Sequence, residues 1–212
     1  MIEYNVEQGS PEWFGLRLGR PTASEFSRIL TPAKADYSAQ AADYIDELIG
    51  IKLNALDGRF PPWVEKYTSR DMANGEAFEA EARFWYAMET GNRVRQVGFV
   101  TTDDGRFGCS PDGLIDPDGG LELKCPHPST QMYRLRKGVL PNEYKGQVHG
   151  ALAITGRKWW DFVSYCHGLP KFMVRVEPDD FTEKLKAALE KFWTDYQKVL
   201  TRFGLDTVNA QV

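Results

Sequence analysis

The sequence predicts a mixed α/β domain with a single central sheet and helices on its faces. Three observations carry this: long amphipathic segments near both ends of the chain, a cluster of short alternating segments between residues 93 and 125, and two more alternating segments before the last helix. Internal repeats, low-complexity blocks and linker-like tracts are missing. One domain is therefore expected over residues 1–202, with 203–212 as a C-terminal tail. A chain of 212 residues can bury one substantial core.

Taken in order, Ser10-Pro11 suits a helix start, because proline fits the first turn, where its missing N–H is not needed. Thr22 with Glu25 reads as a capping box for a second short helix that presents Ser24 in its first turn, near amides able to receive an anion. Local capping explains Thr22 and Ser24 equally well. From about Tyr37 to Ala55 a helix is expected, with Tyr44, Leu48, Ile51 and Ala55 on one face. Gly58 and the Pro61-Pro62 pair mark a loop over residues 56–67. A long helix follows from about Ser69 to Thr90 and stops at Gly91. Phe78, Ala82, Trp85 and Met88 or Glu89 approximate its apolar stripe, with Glu79 at the margin.

Strands are expected at RVRQVGFVT (93–101), GRFGCS (105–110) and LELKC (121–125), with SPDGLIDPDGG as the turn before the third. A short helix begins at residues 129–131, and Asn142 to Thr155 forms another, in which Gly146 and Gly150 weaken the helix but allow close packing. KWWDFVSYC and KFMVRVE supply two more strands. The chain closes on an amphipathic helix from about Asp180 to Leu200, carrying Phe181, Leu185, Leu189, Phe192, Tyr196 and Val199.

Composition narrows the function classes. Hydrophobic residues are 42%, charged 26% and aromatic 13%, which is globular rather than disordered. No apolar run reaches the roughly 20 residues that span a bilayer, and MIEYNVEQGSPEW lacks the character of a signal peptide, so a cytoplasmic protein without membrane contact is expected. Cys109, Cys125 and Cys166 are odd in number and form no CxxC pair, which argues against a disulfide framework or structural zinc. His127, His149 and His167 are scattered, so a zinc hydrolase set is absent too. A net charge of -4 gives no global nucleic-acid signature, though it leaves room for a locally positive channel.

The chemistry concentrates in one stretch. In a strand, residues two apart share a face, so Glu122 and Lys124 point one way while Leu121, Leu123 and Cys125 point the other. Asp112 arrives from the preceding turn, ten residues before Glu122. Two carboxylates and an ammonium can then meet. Magnesium takes one or two carboxylates plus water and phosphate oxygens, which Asp112 and Glu122 satisfy; the Leu123 backbone carbonyl adds an oxygen if it lies at a sheet edge. Lys124 offers either a general base, its pKa lowered beside a cation, or a fixed charge that orients water. On its own, a Glu-x-Lys triplet equally suits a surface salt bridge, and Pro-Asp-Gly is common turn chemistry.

Asp112 followed by Glu122-x-Lys124 resembles the core of the PD-(D/E)xK nuclease superfamily, and the chain as a whole is similar to the lambda exonuclease or YqaJ-like viral recombinase family. The likeness runs through GSPEWFGLRLGRPTASEF, MANGEAFEAEARF, CSPDGLIDPDGGLELKCPHPS, the Gln147 helix and WWDFVSY, in that order over most of residues 8–165. It implies a restriction-endonuclease-like core with Asp112, Glu122, the Leu123 carbonyl and Glu79 on Mg2+, which Mn2+ can replace. It implies Lys124 as the catalytic lysine and Gln147 near the reacting centre. Arg17, Ser24 and Ser110, with Lys124, match the positions that gather a 5'-phosphate, and a guanidinium fork suits phosphate oxygens. The implied activity is 5'-to-3' digestion of one strand of linear double-stranded DNA by a homotrimer. The 3' overhang would feed a phage single-strand annealing protein in the cytoplasm of a bacterial host. The segments 37–67 and beyond Pro170 match less clearly. The alternatives are an endonuclease on the same core and, further off, a non-catalytic DNA-binding recombination scaffold. A Cas4-like protein would need four cysteines for its cluster, and this chain has three.

Overall fold

A computed structural model describes residues 1–56 and 70–205, with side chains of the long helix from residue 78 onward. The expected 56–67 loop falls almost wholly outside these residues, as does most of the C-terminal tail. The elements in chain order are β1 (Ile2–Tyr4), α1 (Pro11–Arg17), a 3-10 helix (Ala23–Arg28), α2 (Ala41–Leu56), α3 (Arg70–Thr90), β2 (Phe99–Thr101), β3 (Gly108–Cys109), β4 (Gly113–Ile115), β5 (Gly119–Lys124), α4 (Pro128–Lys137), α5 (Asn142–Thr155), β6 (Trp159–Ser164), β7 (Phe172–Val176) and α6 (Asp180–Arg202).

The α/β class holds, but the strands divide into two ladders where one sheet was expected. One has the order β1-β2-β3 and the other β4-β5-β6-β7. A lone bridge between Arg95 and Leu114 links their neighbourhoods. It is what remains of the long strand expected over 93–101: only Phe99–Thr101 pairs continuously, with β1 on one side and β3 on the other. Two strands escape the sequence reading. β1 is three residues long and mostly exposed, so it carries no apolar alternation. β4 lies inside the segment read as a turn and makes a hairpin with β5, Leu114 opposite Gly120.

β5 and β6 are parallel, with Glu122 opposite Phe162 and Lys124 opposite Ser164. A parallel pair needs a crossover, and α4 and α5 supply it. The sheet is therefore covered on both faces. Leu121, Leu123, Val163 and Tyr165 pack with Ala82 and Tyr86 of α3. Trp160 and Phe162 face the larger core, with Val148, Leu152, Leu185 and Phe192. The apolar stripe of α3 differs from expectation. Ala82 is buried and Trp85 packs on the sheet as expected, but Tyr86 is buried beside them, whereas Phe78 and Met88, at the two ends of the expected stripe, are exposed. Tyr86 is anchored there by its hydroxyl, which donates to buried Asp161 at 2.7 Å.

At α1 the predicted start holds: Ser10 caps the helix and accepts from the Trp13 amide at 3.2 Å. The capping box at Thr22 does not form. The segment is a 3-10 helix without a side-chain cap, and the Thr22 hydroxyl lies instead 3.2 Å from that of Ser24. The glycines of α5 do allow close packing. A Cβ on Gly146 would stand 2.8 Å from the Ser27 amide nitrogen, and one on Gly150 would stand 2.5 Å from the Phe26 ring. This contact holds the 3-10 helix against α5, and with it Ser24 on the same side of the fold as Gln147. α6 forms as expected, with Asp179 and Thr182 making a reciprocal capping box.

Candidate active site

At the C-terminal end of β5 a cleft of about 240 Å³ opens between the sheet, α1, the 3-10 helix and α5. Asp112, Glu122, Lys124 and Gln147 line it together with Arg17, Ser24 and Ser110. Seven of the predicted site residues thus share one cavity. Trp13, Thr22, Ala23, Cys109, Pro111, Ala151 and Trp160 complete the lining.

One wall is the strand wall. The Glu122 side chain is 3% exposed, and its Oε1 accepts from Lys124 Nζ at 2.6 Å and from Gln147 Nε2 at 2.7 Å. Asp112 Oδ2 accepts from the Leu123 amide at 2.6 Å. In an extended strand the amide and carbonyl of one residue leave on the same side. The Leu123 carbonyl therefore also faces Asp112, beyond the point where β4 stops pairing with β5. Lys124 Nζ lies 5.3 Å from the centre of the Tyr144 ring.

Glu79 sits one step further out. It pairs with Arg83 Nη2 at 2.5 Å, and Arg83 Nε donates to the Asp112 carbonyl at 3.1 Å. Glu79 is not among the cleft-lining residues, although Asp112's charge helps to raise its pKa and its own charge helps to raise that of Glu122. Among the described residues, no three His, Cys, Asp or Glu side chains stand together as a ready-made metal cage.

The charges of this wall do not balance. Burial pushes the Asp112 carboxyl up, against the pull of Lys124, the Leu123 amide and Arg83. Burial likewise pushes Glu122 up to about 7; Lys124 pulls it down, but Asp112 and Glu79 push it up. Glu79 is also raised, by burial and by Asp112. For Lys124 burial acts downward, yet Glu122 and Asp112 outweigh it and hold the ammonium above its usual range. One cation is shared between two buried carboxylates, so the lysine is doubly compensated and the acids are not. A hard divalent cation fits that deficit, and it needs only the one or two carboxylates present.

The opposite wall is neutral or positive. Trp13 Nε1 donates to Ser110 Oγ at 2.9 Å and to the Gly98 carbonyl at 3.1 Å. Arg17 Nη1 also donates to Ser110 Oγ, at 3.1 Å, and its guanidinium covers the Trp13 ring at 4.4 Å. Ser24 is exposed beside Thr22 at the mouth. Trp13 and Arg83 were given no role by the sequence reading. Both were reachable: each lies four residues along a helix from a named site residue, Arg17 and Glu79, and such pairs face one another.

The YqaJ-like viral recombinase domain matches residues 12–158. Among solved structures, the alkaline exonuclease LHK-Exo from Laribacter hongkongensis is 32% identical with a TM-score of 0.72, over 92% of this chain and 98% of that one. LHK-Exo in complex with dAMP gives 32% and 0.70 over the same shares. A phage-related exonuclease from Haemophilus somnus 129PT shares the fold at 12% identity and a TM-score of 0.60, over 87% of this chain and 96% of that one. None of the curated proteins matches the sequence. The matched stretch contains every predicted site residue, and the chain belongs to the YqaJ-like viral recombinase family.

Proposed function

We propose that this protein is a magnesium-dependent 5'-to-3' exonuclease that degrades one strand of linear double-stranded DNA and leaves a 3' overhang. The family and the likeness to LHK-Exo support a nuclease. The finer reading rests on one observation: a single cleft holds the under-compensated carboxylates with Lys124 on one wall and Arg17 with Ser110 and Ser24 on the other. The first wall suits a phosphodiester under attack, the second a terminal phosphate.

Asp112, Glu122 and the Leu123 carbonyl would hold Mg2+, or Mn2+, which supplies an acidified water and offsets charge on the phosphate. Glu79, fixed by Arg83, adds negative charge behind them. Lys124 Nζ, 2.6 Å from Glu122, orients the attacking water, meets a phosphate oxygen with its charge, or takes the water's proton as general base. Gln147 fixes Glu122 by donating to Oε1, so the carboxylate keeps one orientation. Arg17 and the serine hydroxyls receive the 5'-phosphate as donors, which places the next phosphodiester at the strand wall. An end is then a requirement. Linear duplex is the substrate; a homotrimer around DNA and delivery of the overhang to a single-strand annealing protein in a bacterial cytoplasm complete the proposal.

The test compares linear duplex with a 5'-phosphate, the same duplex with a 5'-hydroxyl, and a closed circle, each with and without Mg2+. Loss of one strand from the phosphorylated linear DNA, with Mg2+ only, is expected. Cutting of the circle would make the protein an endonuclease, and binding without cleavage would make it a scaffold.

A further inference from the structure

Between Glu122 and Glu143 the chain has no acidic residue, although Asp and Glu outnumber Lys and Arg overall, 30 to 26. The same stretch carries Lys124, Arg134, Arg136 and Lys137. It contains α4, which begins four residues after Lys124. The inner side of α4 is fastened to the active-site wall. Gln131 and Arg134 are buried; Gln131 Nε2 donates to the Ser164 carbonyl at 2.9 Å, and Arg134 donates to Ser164 Oγ at 3.0 Å and to the Tyr144 hydroxyl at 2.8 Å. Ser164 is the β6 residue opposite Lys124, and the Tyr144 ring lies against the lysine ammonium.

The outer side is built differently. Met132 is 47% and Tyr133 51% exposed, and Arg136 and Lys137 are exposed beside them. Lys137 Nζ lies 5.7 Å from the Tyr133 ring centre. Among the described residues, Arg134 is the one α4 side chain with a carboxylate partner. Lys158, Lys186, Lys191 and Lys198 are matched by carboxylates, whereas Lys34, Arg93, Lys184 and Arg202 share with Arg136 and Lys137 the lack of one among the described residues. The α4 helix differs in setting two such cations one turn from an exposed tyrosine and methionine. An exposed aromatic and a thioether beside two unmatched cations do not suit a plain solvated face. They suit a polyanion with flat apolar faces to stack.

We propose that the outer face of α4 binds single-stranded DNA, namely the uncut strand as it leaves the duplex. Arg136 and Lys137 meet its phosphates, and Tyr133 and Met132 meet its bases. Duplex DNA keeps its bases stacked inside and has no use for the exposed ring. This assignment rests on the nuclease reading, because that reading supplies a freed strand, and on the continuity of α4 with the Lys124 wall.

The experiment measures affinity for a fluorescent oligothymidylate and for a blunt closed duplex, in chelator, over a salt series. The proteins are wild type, Arg136→Ala with Lys137→Ala, and Tyr133→Ala. Loss of the two cations is expected to lower the slope of log affinity against log salt by about 1.4, since each single-strand phosphate contact contributes ~0.7. Loss of the ring is expected to weaken oligothymidylate binding roughly 5- to 100-fold and duplex binding little. Mg2+-dependent release of the first nucleotide from a 5'-phosphorylated linear duplex, before any length of single strand is freed, should be unchanged in both variants, which also reports folding. Unchanged oligothymidylate affinity and slope in the variants of an active enzyme would overturn the surface. Equal losses on duplex would overturn its assignment to the single strand. A wild-type protein that neither binds nor cuts DNA would sink the nuclease reading itself.

Discussion

The two walls of the cleft are opposites in how they were assembled. The strand wall gathers more negative charge than its single ammonium offsets, and burial pushes all its acids up, with carboxylate neighbours adding to the push on Glu79 and Glu122. The α1 wall satisfies itself: the Trp13 indole and the Arg17 guanidinium both donate to one hydroxyl, Ser110, and the guanidinium carbon lies over the indole ring. Both acceptor positions of that hydroxyl are then in use, so its own proton is free to point into the cleft as a donor. One wall is strained toward a cation and the other is set for an anion. The difference teaches that, where no ligand cage is formed, unbalanced charge is the feature that supports the proposed metal site.

Breaking the strand wall should have the largest effect. Asp112→Asn is expected to cut hydrolysis by roughly 10³-fold or more while leaving affinity for a 5'-phosphorylated end nearly intact, as measured by single-turnover cleavage and fluorescence anisotropy. Equal loss of binding and cleavage would mean the two walls do not act separately.

The charge imbalance also makes a prediction for the metal. A carboxyl raised in the folded state contributes stability that is present below its ordinary pKa of 4.5 and is lost as pH rises through about 7 for Glu122. The metal-free protein should therefore lose stability over that window, and Mg2+ should restore it above the window. At about a hundredfold excess over its dissociation constant the ion contributes ~2.7 kcal/mol, or roughly 5–10 °C in melting temperature. Below the window protons compete, and the shift should shrink toward zero. A Mg2+ effect that is the same on both sides of the window would remove the link to these carboxyls.

Smaller effects belong to single hydrogen bonds. Gln147→Leu removes the neutral donor to Glu122 and is expected to lower kcat about tenfold or somewhat more with little change in KM, since a net hydrogen bond to a charged group is worth ~1.5–3 kcal/mol. Smaller again is Trp13→Phe, which frees Ser110 from its indole donor and should weaken selection for a phosphorylated end several-fold. A change in selection no larger than the change in overall rate would assign Trp13 to packing alone.

Much of this site was legible in the sequence for a geometric reason. Strand periodicity places Glu122 and Lys124 on one face whatever the surrounding topology, and a short turn limits how far Asp112 can stray. Gln147, Arg17 and Ser110 came from motif likeness, and Ser24, first picked out by a capping pattern that does not form, kept its place through the same likeness, because nothing in local periodicity brings α1, a 3-10 helix and α5 to one strand end. The contact that does so is Gly146 and Gly150 against Ser27 and Phe26. The glycines were visible, but their partner was not. The fold was less legible where segments are very short. β1 and β4 have three residues each, too few for alternation to register, and Pro-Asp-Gly made β4 look like a turn. The α3 stripe was legible at Ala82 and Trp85 but missed Tyr86. Tyr86 is drawn inward by its bond to Asp161, a polar contact that apolar periodicity cannot anticipate.

The most direct test of the paired walls is a cycle that removes the same contact from either side. Cleavage of 5'-phosphorylated and 5'-hydroxyl linear duplex would be measured for wild type and for Arg17→Ala. A charged hydrogen-bonded contact of this kind contributes ~1.5–3 kcal/mol, so wild type should prefer the phosphate roughly 10- to 100-fold. Arg17→Ala should lose most of that preference while cutting the 5'-hydroxyl duplex as fast as wild type does. An Arg17→Ala enzyme that keeps the full wild-type preference would contradict the account, because the phosphate would then be held somewhere other than this wall.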